Sequence, residues 1–472
     1  MTDLQDFEQS LMTALRAAVT FRDEAPAIPA FPASSATELR ARFDIPLDDS
    51  GRPGPAVISD LIDAAKGGLA GNTQPNFYAW VQGSSHPTGV AADLLTSAWG
   101  QNAGLYQTAP AAAIAEEVAS KWLLDLLHLP ATASVAFTTG ATMANFIGLA
   151  VARSEVLRRI GYDLEMEGMI GAPHVTIIVG AEAHSTVMAD LRHLGFGTRH
   201  LVIITSDAQG RMSVADLADQ LAKISGPIIL VAQAGHINSG SFDPFNEIIP
   251  LAHEHGAWVH VDGAFGLWAN AVEPLRQLSQ GVELADSWSV DGHKWLQVPY
   301  DAGFGIVRDA EAHQRVMSIT ASYLTAGADD GRSPSAYVPE LSRRARGFAV
   351  WATLQALGRQ GVRDMVLRHC QCATHLAARL SEVAGIHVLN DVVLNQVAIA
   401  FGHNGPDDEV TKAIIDHLQE ENRHFVLSAR WRSHTILRIS IISMLTQIVD
   451  IDSLADGIIR AWQGQNQALS GR

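Results

Sequence analysis

The sequence predicts an α/β protein: a mainly parallel, buried sheet with helices between its strands, followed by a smaller α+β unit. Two observations carry this. From about residue 110, short apolar runs alternate with helix-length amphipathic segments, so successive strands are joined by the long crossovers that parallel pairing requires. Beyond about residue 380 the rhythm changes to short strands grouped with two helices. The chain of 472 residues, 47% hydrophobic with 39 glycines and 19 prolines, is ordinary for a large globular α/β protein of two or three structural units.

The elements follow in order. Phe7, Leu11, Leu15 and Val19 recur at helical spacing and predict an amphipathic helix over 5–20. Residues 24–56, rich in Pro, Ala and Ser, read as a meandering linker with one short helix near 36–43. A helical pattern at 57–68 and a Gly/Asn/Pro loop at 70–76 lead into the aromatic, strand-like 76–80. Helices are predicted at 111–127, 143–159, 184–193, 213–223 and 245–255. Strands are predicted at 133–138, 175–179, 201–204, 228–232, 258–261, 287–290 and 303–307, the last two close enough to permit one antiparallel pairing. A long helix over 342–380 leads to the last unit, with strands at 387–389, 397–401, 425–429 and 436–442 and helices at 407–421 and 450–463.

Composition narrows the function classes. Lys and Arg number 33 against 50 Asp and Glu, a net charge of −17, which argues against nucleic acid and anionic membrane surfaces and says little about small substrates, since a local basic pocket can sit inside an acidic protein. Cys370 and Cys372 can build neither a disulfide framework nor a zinc site, no metal is expected, and a reducing, cytoplasmic compartment fits. The first 19 residues lack a basic region followed by an apolar one, and no run of 18 apolar residues suggests a membrane span.

The chemistry concentrates in two strand ends. The run HVDGAFG (260–266) places Asp262 at the end of one strand, and SVDGHKW (289–295) places His293 and Lys294 just past another, 32 residues on from Asp262 to Lys294. A lysine able to form a Schiff base and an aspartate able to hold a pyridinium nitrogen are the minimal equipment of pyridoxal-phosphate chemistry. TTGATMAN (138–145) lies between a strand and a helix. Its small residues let backbone N–H groups approach a phosphate, or else Thr139 or Thr142 simply caps the helix. His184 in AEAHST (181–186) can stack on a flat ring or cap its own helix. Arg438 interrupts an apolar strand and needs an anion, either a structural carboxylate or a substrate one. The basic stretch 342–346 opens the long helix against its dipole, which calls for an acidic partner nearby or a solvated face.

In chain order these motifs, with PNFYAW (75–80) before them and ELSRRARGFAVW (340–351) after, resemble the group II pyridoxal-phosphate-dependent amino-acid decarboxylases, the family of aromatic-L-amino-acid decarboxylase. The resemblance implies the fold type I of pyridoxal-phosphate-dependent transferases. In it, a helical arm (1–86) precedes a large cofactor-binding domain with a mainly parallel seven-stranded sheet (87–368) and a small C-terminal α+β domain (369–472). It implies pyridoxal 5'-phosphate bound through Lys294, Asp262 on the pyridine nitrogen, and His184 stacked on the ring. Thr139, Gly140, Ala141 and Thr142 would hold the phosphate with Asp291 and His293 nearby; His293 is also a candidate proton donor or substrate contact, and His236 stands near the ring where animal enzymes have a threonine. Trp80, Val81, Gln82, Ala103, Leu105 and Arg438 would meet the substrate, an L-amino acid with an aromatic or bulky apolar side chain. The family's proton-donating tyrosine lies on a loop matched by 318–340, where Tyr323 and Tyr337 are the candidates. Without a delivered tyrosine, oxidative deamination to an aldehyde becomes the alternative, as does a Cα–Cβ lyase or aldolase on the same scaffold. A homodimer with shared active sites is implied as well.

Overall fold

The structure, a computed structural model, describes residues 3–25, 28–319 and 331–470. Three helices come first: α1 (Asp3–Glu24), α2 (Ala36–Phe43) and α3 (Gly54–Ala65). The helices α4 (Pro87–Trp99) and α5 (Pro110–Leu126) precede the alternating core, which runs β1 (Ser134–Thr138), α6 (Ala141–Arg158), α7 (Leu164–Glu167), β2 (Thr176–Gly180), α8 (Ser185–His193), β3 (Val202–Ile204), α9 (Val214–Leu221), β4 (Ile228–Gln233), α10 (Phe245–Glu254) and β5 (Trp258–Asp262). Then come β6 (Ser287–Asp291), β7 (Gly303–Val307), α11 (Ala310–Met317) and the long α12 (Gly347–Ser381). The last unit holds β8 (Ile386–Val388), β9 (Gln396–Phe401), α13 (Asp408–Glu421), β10 (Leu427–Trp431), β11 (His434–Ser440) and α14 (Ile448–Ser470).

β1, β5, β6 and β7 are buried at every residue, the pattern of strands covered on both faces. They lie in a seven-stranded sheet of order β1-β7-β6-β5-β4-β2-β3. One face packs against α5, α10 and α12 through residues such as Leu123, Ile249 and Val350. The other packs against α6 and α8 through Ile147, Val151 and Leu191. α6 is apolar nearly all round and lies along β5, β6 and β7, as a helix buried on most sides must be. The sheet is parallel except at β7, which runs antiparallel to both β1 and β6. The single antiparallel pairing expected from sequence is therefore two, because the short return from β6 inserts β7 between β6 and β1.

The second sheet, order β10-β11-β9-β8, is wholly antiparallel. Its core joins Val397 and Ile399 to Leu376 of α12, Ile414 of α13 and Ile458 of α14. α12 runs from the first sheet to the second and is kinked at Gly358, whose φ of 60° lies in the left-handed region.

Two sequence expectations are corrected, and a helix that the sequence left unplaced is added. Residues 76–80 form no strand: Phe77 makes one bridge to Phe425, and Phe31, Phe77 and Phe425 stack with centroids 4.1 and 4.4 Å apart. The aromatic signal there marked burial, not pairing. Residues 342–346 precede the helix instead of opening it, because Arg343 turns inward to a buried ion pair with Glu116 at 2.7 Å. α4 was not anticipated; it buries only Gly89 and Thr96, so it shows no core-facing stripe.

Candidate active site

β1, β2, β4, β5 and β6 all end at one edge of the sheet, where a parallel α/β fold places its ligands. Asp262 and Asp291 are the last residues of β5 and β6, and the turn after β6 carries His293 and Lys294. Lys294 Nζ lies 2.9 Å from Asp291 Oδ2. Asp291 Oδ1 accepts the Ala141 N–H at 2.6 Å. Neither Thr139 nor Thr142 caps α6; Gly140 is its N-cap and gives no side-chain bond, so Asp291 serves that N-terminus. Backbone packs tightly here: a Cβ on Gly140 would sit 2.9 Å from His293 Cε1, and one on Gly303 of β7 would sit 2.4 Å from Gly140 Cα.

Asp262 accepts the Ala264 N–H at 3.2 Å and the Ser289 hydroxyl at 3.4 Å on Oδ1. His184 caps α8, its Nδ1 accepting the Thr186 N–H at 3.3 Å. Capping and facing the cavity are thus compatible roles. Burial pushes the His184 imidazole below its ordinary value against the opposing pull of Asp262, and burial does the same to His293 against Asp291. His293 Nδ1 accepts the Ala302 N–H at 3.2 Å, which leaves its Nε2–H 3.4 Å from Asp291. His236 is buried, its Nδ1 accepting the N–H groups of Asn238 and Ser239 and its Nε2–H donating to Glu182 at 2.9 Å. Burial raises the Glu182 carboxyl, but hydrogen bonds from His236 and Trp431 outweigh it and hold the group at about 2.

Thr139, Gly140, Ala141, Thr142, His184, Asp262, Asp291, His293 and Lys294 line one cavity of about 300 Å³. Trp80, Val81, Gln82, His236 and Arg438 line an outer cavity of about 730 Å³ that shares His184, His293 and Lys294. Arg438 gives one Nη to Asn238 Oδ1 at 3.3 Å, while its buried Nε has no partner. Burial pushes its guanidinium below the usual arginine range.

Ala103 and Leu105 line neither cavity of their own chain. Ala103 is held by Arg343, which accepts its N–H at 3.0 Å and donates to its carbonyl at 2.9 Å. Tyr337 is also elsewhere, edge-on to His313 at 5.2 Å and beneath Arg332 at 3.7 Å. Tyr323 lies outside the described residues.

Sequence reasoning missed two residues. Tyr300 lines the outer cavity and stacks on His293 at 4.4 Å; an aromatic residue six positions after Lys294 was the available signal. Gln297 is fully buried with φ of 62°. Its amide donates to the carbonyls of Lys294, Trp295 and Ile442 and accepts the Ser84 N–H and hydroxyl, all at 2.7–3.3 Å. No local sequence pattern marks it.

The residues present fit pyridoxal 5'-phosphate. An amine stands at one end and a carboxylate at the other, with a flat imidazole beside them. Gly140 keeps the helix N-terminus free of a side chain that would fill the anion cradle.

The sequence model described as the pyridoxal-dependent decarboxylase conserved domain matches residues 37–401. Aromatic-L-amino-acid decarboxylase of Bacillus atrophaeus is 26% identical over 410 residues, 81% of this chain and 82% of that protein. An acidic amino acid decarboxylase of Bos taurus is 26% identical over 364 residues, 75% of this chain and 68% of that one. The crystal structure of Oryza sativa TDC with PLP and tryptamine superposes with a TM-score of 0.91 at 21% identity, covering 98% of this chain and 99% of that one.

Proposed function

Since the chain belongs to the pyridoxal-dependent decarboxylase family, we propose that it converts an L-amino acid with an aromatic or bulky apolar side chain into the corresponding amine. Loss of an amino acid's carboxyl group as CO2, with pyridoxal 5'-phosphate as cofactor, makes it a carboxy-lyase. When bound, that cofactor supplies the electron sink for the electron pair left behind by CO2.

The chain's own residues do the rest. Lys294 would hold the cofactor through its amine, and Asp262 would keep the proton on the pyridine nitrogen. His184 would lie against the ring, with His236 near it. Backbone N–H groups of 139–142 would take the phosphate, with Asp291 and His293 beside them. Arg438, with its unpaired Nε, receives the substrate carboxylate before reaction. Trp80, Tyr300 and Trp431 offer flat faces to the substrate side chain, with Val81 and Gln82 between them, and favour an aromatic one. Proton return to the former α-carbon falls to a tyrosine of 318–340. Tyr337 lines neither cavity of its own chain, so it can serve only at a partner's site, as can the half-buried Leu105, whereas Ala103 is buried within its own chain and reaches no substrate.

The observation that carries this reading is the convergence of Lys294, Asp262 and His184 on one cavity. The test is incubation of cofactor-loaded protein with a panel of L-amino acids, reading CO2, amine, aldehyde and peroxide. Aromatic substrates should give CO2 and amine in equal amounts. Turnover confined to acidic or diamino substrates would overturn the side-chain assignment, and aldehyde without CO2 would overturn the reaction.

A homodimer belongs to the same proposal. α1 buries none of its residues in the described chain and exposes Phe7, Leu15 and Val19, while α4 exposes Leu94, Leu95 and Trp99. Apolar faces of this extent need a cover, and a second copy supplies it. A cytoplasmic location fits the free, buried Cys370 and Cys372. Among the described residues no helix is long and apolar enough to cross a membrane.

A further inference from the structure

We propose that His260, acting through Asn145, is a positioning residue that fixes how Asp262 is presented to the cofactor ring. The inference rests on the reading that Asp262 faces the pyridine nitrogen. It begins with strand alternation: Trp258, His260 and Asp262 of β5 share one face, toward α6. Ser287 of β6 stands in register with His260.

These residues form a chain of hydrogen bonds with one direction. The Trp258 indole, which can only donate, gives its N–H to Ser287 Oγ at 2.9 Å. Among its contacts within the described residues, the acceptor open to the Ser287 hydroxyl proton is His260 Nδ1, at 2.8 Å. The imidazole then carries its proton on Nε2 and donates to Asn145 Oδ1 at 2.8 Å. That bond turns the amide so that Asn145 Nδ2 donates to Asp262 Oδ2 at 3.4 Å. Each of the five side chains is at most 5% exposed, so water cannot substitute for a missing link. Burial holds His260 down at about 4, against the pull of Asp262, which keeps the ring neutral and able to accept on Nδ1.

The sign of the last contact is what the chain decides. An Asn145 amide turned the other way would set its oxygen against the Asp262 oxygen, acceptor against acceptor. With the amide as found, Oδ2 is tethered from behind while Oδ1 is held by Ala264 and Ser289, and the carboxylate plane cannot rotate freely. Gly148 of α6 makes room for the ring: a Cβ there would come within 2.6 Å of His260 Nδ1 and Cε1.

The test compares the full-length protein with His260→Ala, Asn145→Leu, His260→Gln and Gly148→Ala. The readouts are the pyridoxal phosphate dissociation constant by quenching of tryptophan fluorescence, the absorption maximum of bound cofactor, and Tm. His260→Ala and Asn145→Leu should raise the dissociation constant about tenfold or more, as loss of a hydrogen bond to a charged group does, and should shift the absorption band. His260→Gln keeps an acceptor and a donor and should recover most of both. Folded His260→Ala and Asn145→Leu with an unchanged dissociation constant and band would overturn the proposal, whatever their Tm. Should those two fail to fold, Gly148→Ala, an alanine in a helix, should weaken cofactor binding in the same way, and no change there would equally overturn it. Asp262→Ala and the unaltered protein separate the failures: if the unaltered protein binds no cofactor, or Asp262→Ala binds it normally, the reading of the site fails and not only the positioning role.

Discussion

Gln297 anchors the backbone of the turn that carries Lys294. Its amide ties the Lys294 carbonyl to Ser84 on one side and to Ile442 of the small unit on the other. It does so from a left-handed backbone that glycine would adopt more readily. Gln297→Gly therefore separates the two effects. It relieves the backbone but strands buried donors and acceptors, and we expect a net loss of roughly 2–4 kcal/mol in urea denaturation; a stabilised variant would contradict this. At Lys294 itself, Lys294→Ala should lower decarboxylation by roughly 10³-fold or more, measured as CO2 release, with a modest loss of Tm, because buried Asp291 loses its 2.9 Å ion-pair partner but keeps the Ala141 N–H. Asp262, Lys294 and His184 were legible from sequence because each follows a strand-like run directly. Gln297 and Asn145 were not, since what singles them out is distant in the chain: Gln297 meets Ser84 and Ile442, 213 and 145 positions away, and Asn145 meets His260 and Asp262, 115 and 117 away.

At the level of elements, the buried pair Glu116–Arg343 pins the segment before α12 to α5. Both side chains are at most 2% exposed. Burial raises the Glu116 carboxyl, and Arg343 opposes that rise. Arg343 also donates to the carbonyls of Ala103 and Phe137, so the 102–105 loop depends on it. Arg343→Met leaves a buried carboxylate unpaired and should cost about 3–5 kcal/mol in urea denaturation. The double variant with Glu116→Leu should recover much of that loss; equal destabilisation in both would sink the account. The strands of the large sheet were legible as two-sided apolar runs such as 228–232, because a run buried on both faces needs no alternation. α4 was not, because its apolar residues Leu94, Leu95 and Trp99 point outward and mimic no core stripe. That outward face makes a prediction: Leu94→Glu with Leu95→Glu should convert a dimer into a monomer by light scattering. An unaltered protein that is already monomeric would refute the interface.

Over the whole molecule, buried histidines set the response to acid. Burial pushes His260 and His424 down to about 4 and His313 and His369 to about 3. The unfolded chain binds protons on these groups near pH 6.5 while the folded chain does not, so their stabilising contribution is present above that value and is lost as pH falls toward 4. Asp190 at about 7 and Asp243 at about 6, both raised by burial, act in the opposite sense, and the four histidines outnumber them. Stability, and Tm with it, should therefore fall on acidification from pH 6.5 to 4.5, the unfolding free energy dropping by roughly 1.4 kcal/mol per pH unit for each proton in excess. A flat or rising Tm over that range would contradict the assignment.

β7 has a consequence in time as well as in space. It pairs with β1 across the register Ser134↔Val307 and presses Gly303 against Gly140, so the turn that starts α6 takes its shape from a strand made much later in synthesis. A ribosome adding about 5–20 residues per second completes β1 well before it reaches Val307. Through that interval the emerging chain carries the helix N-terminus without the lysine turn or the strand that seats it. Cofactor capture is thereby a late event in the life of each new chain, and a fragment ending before β7 should hold none.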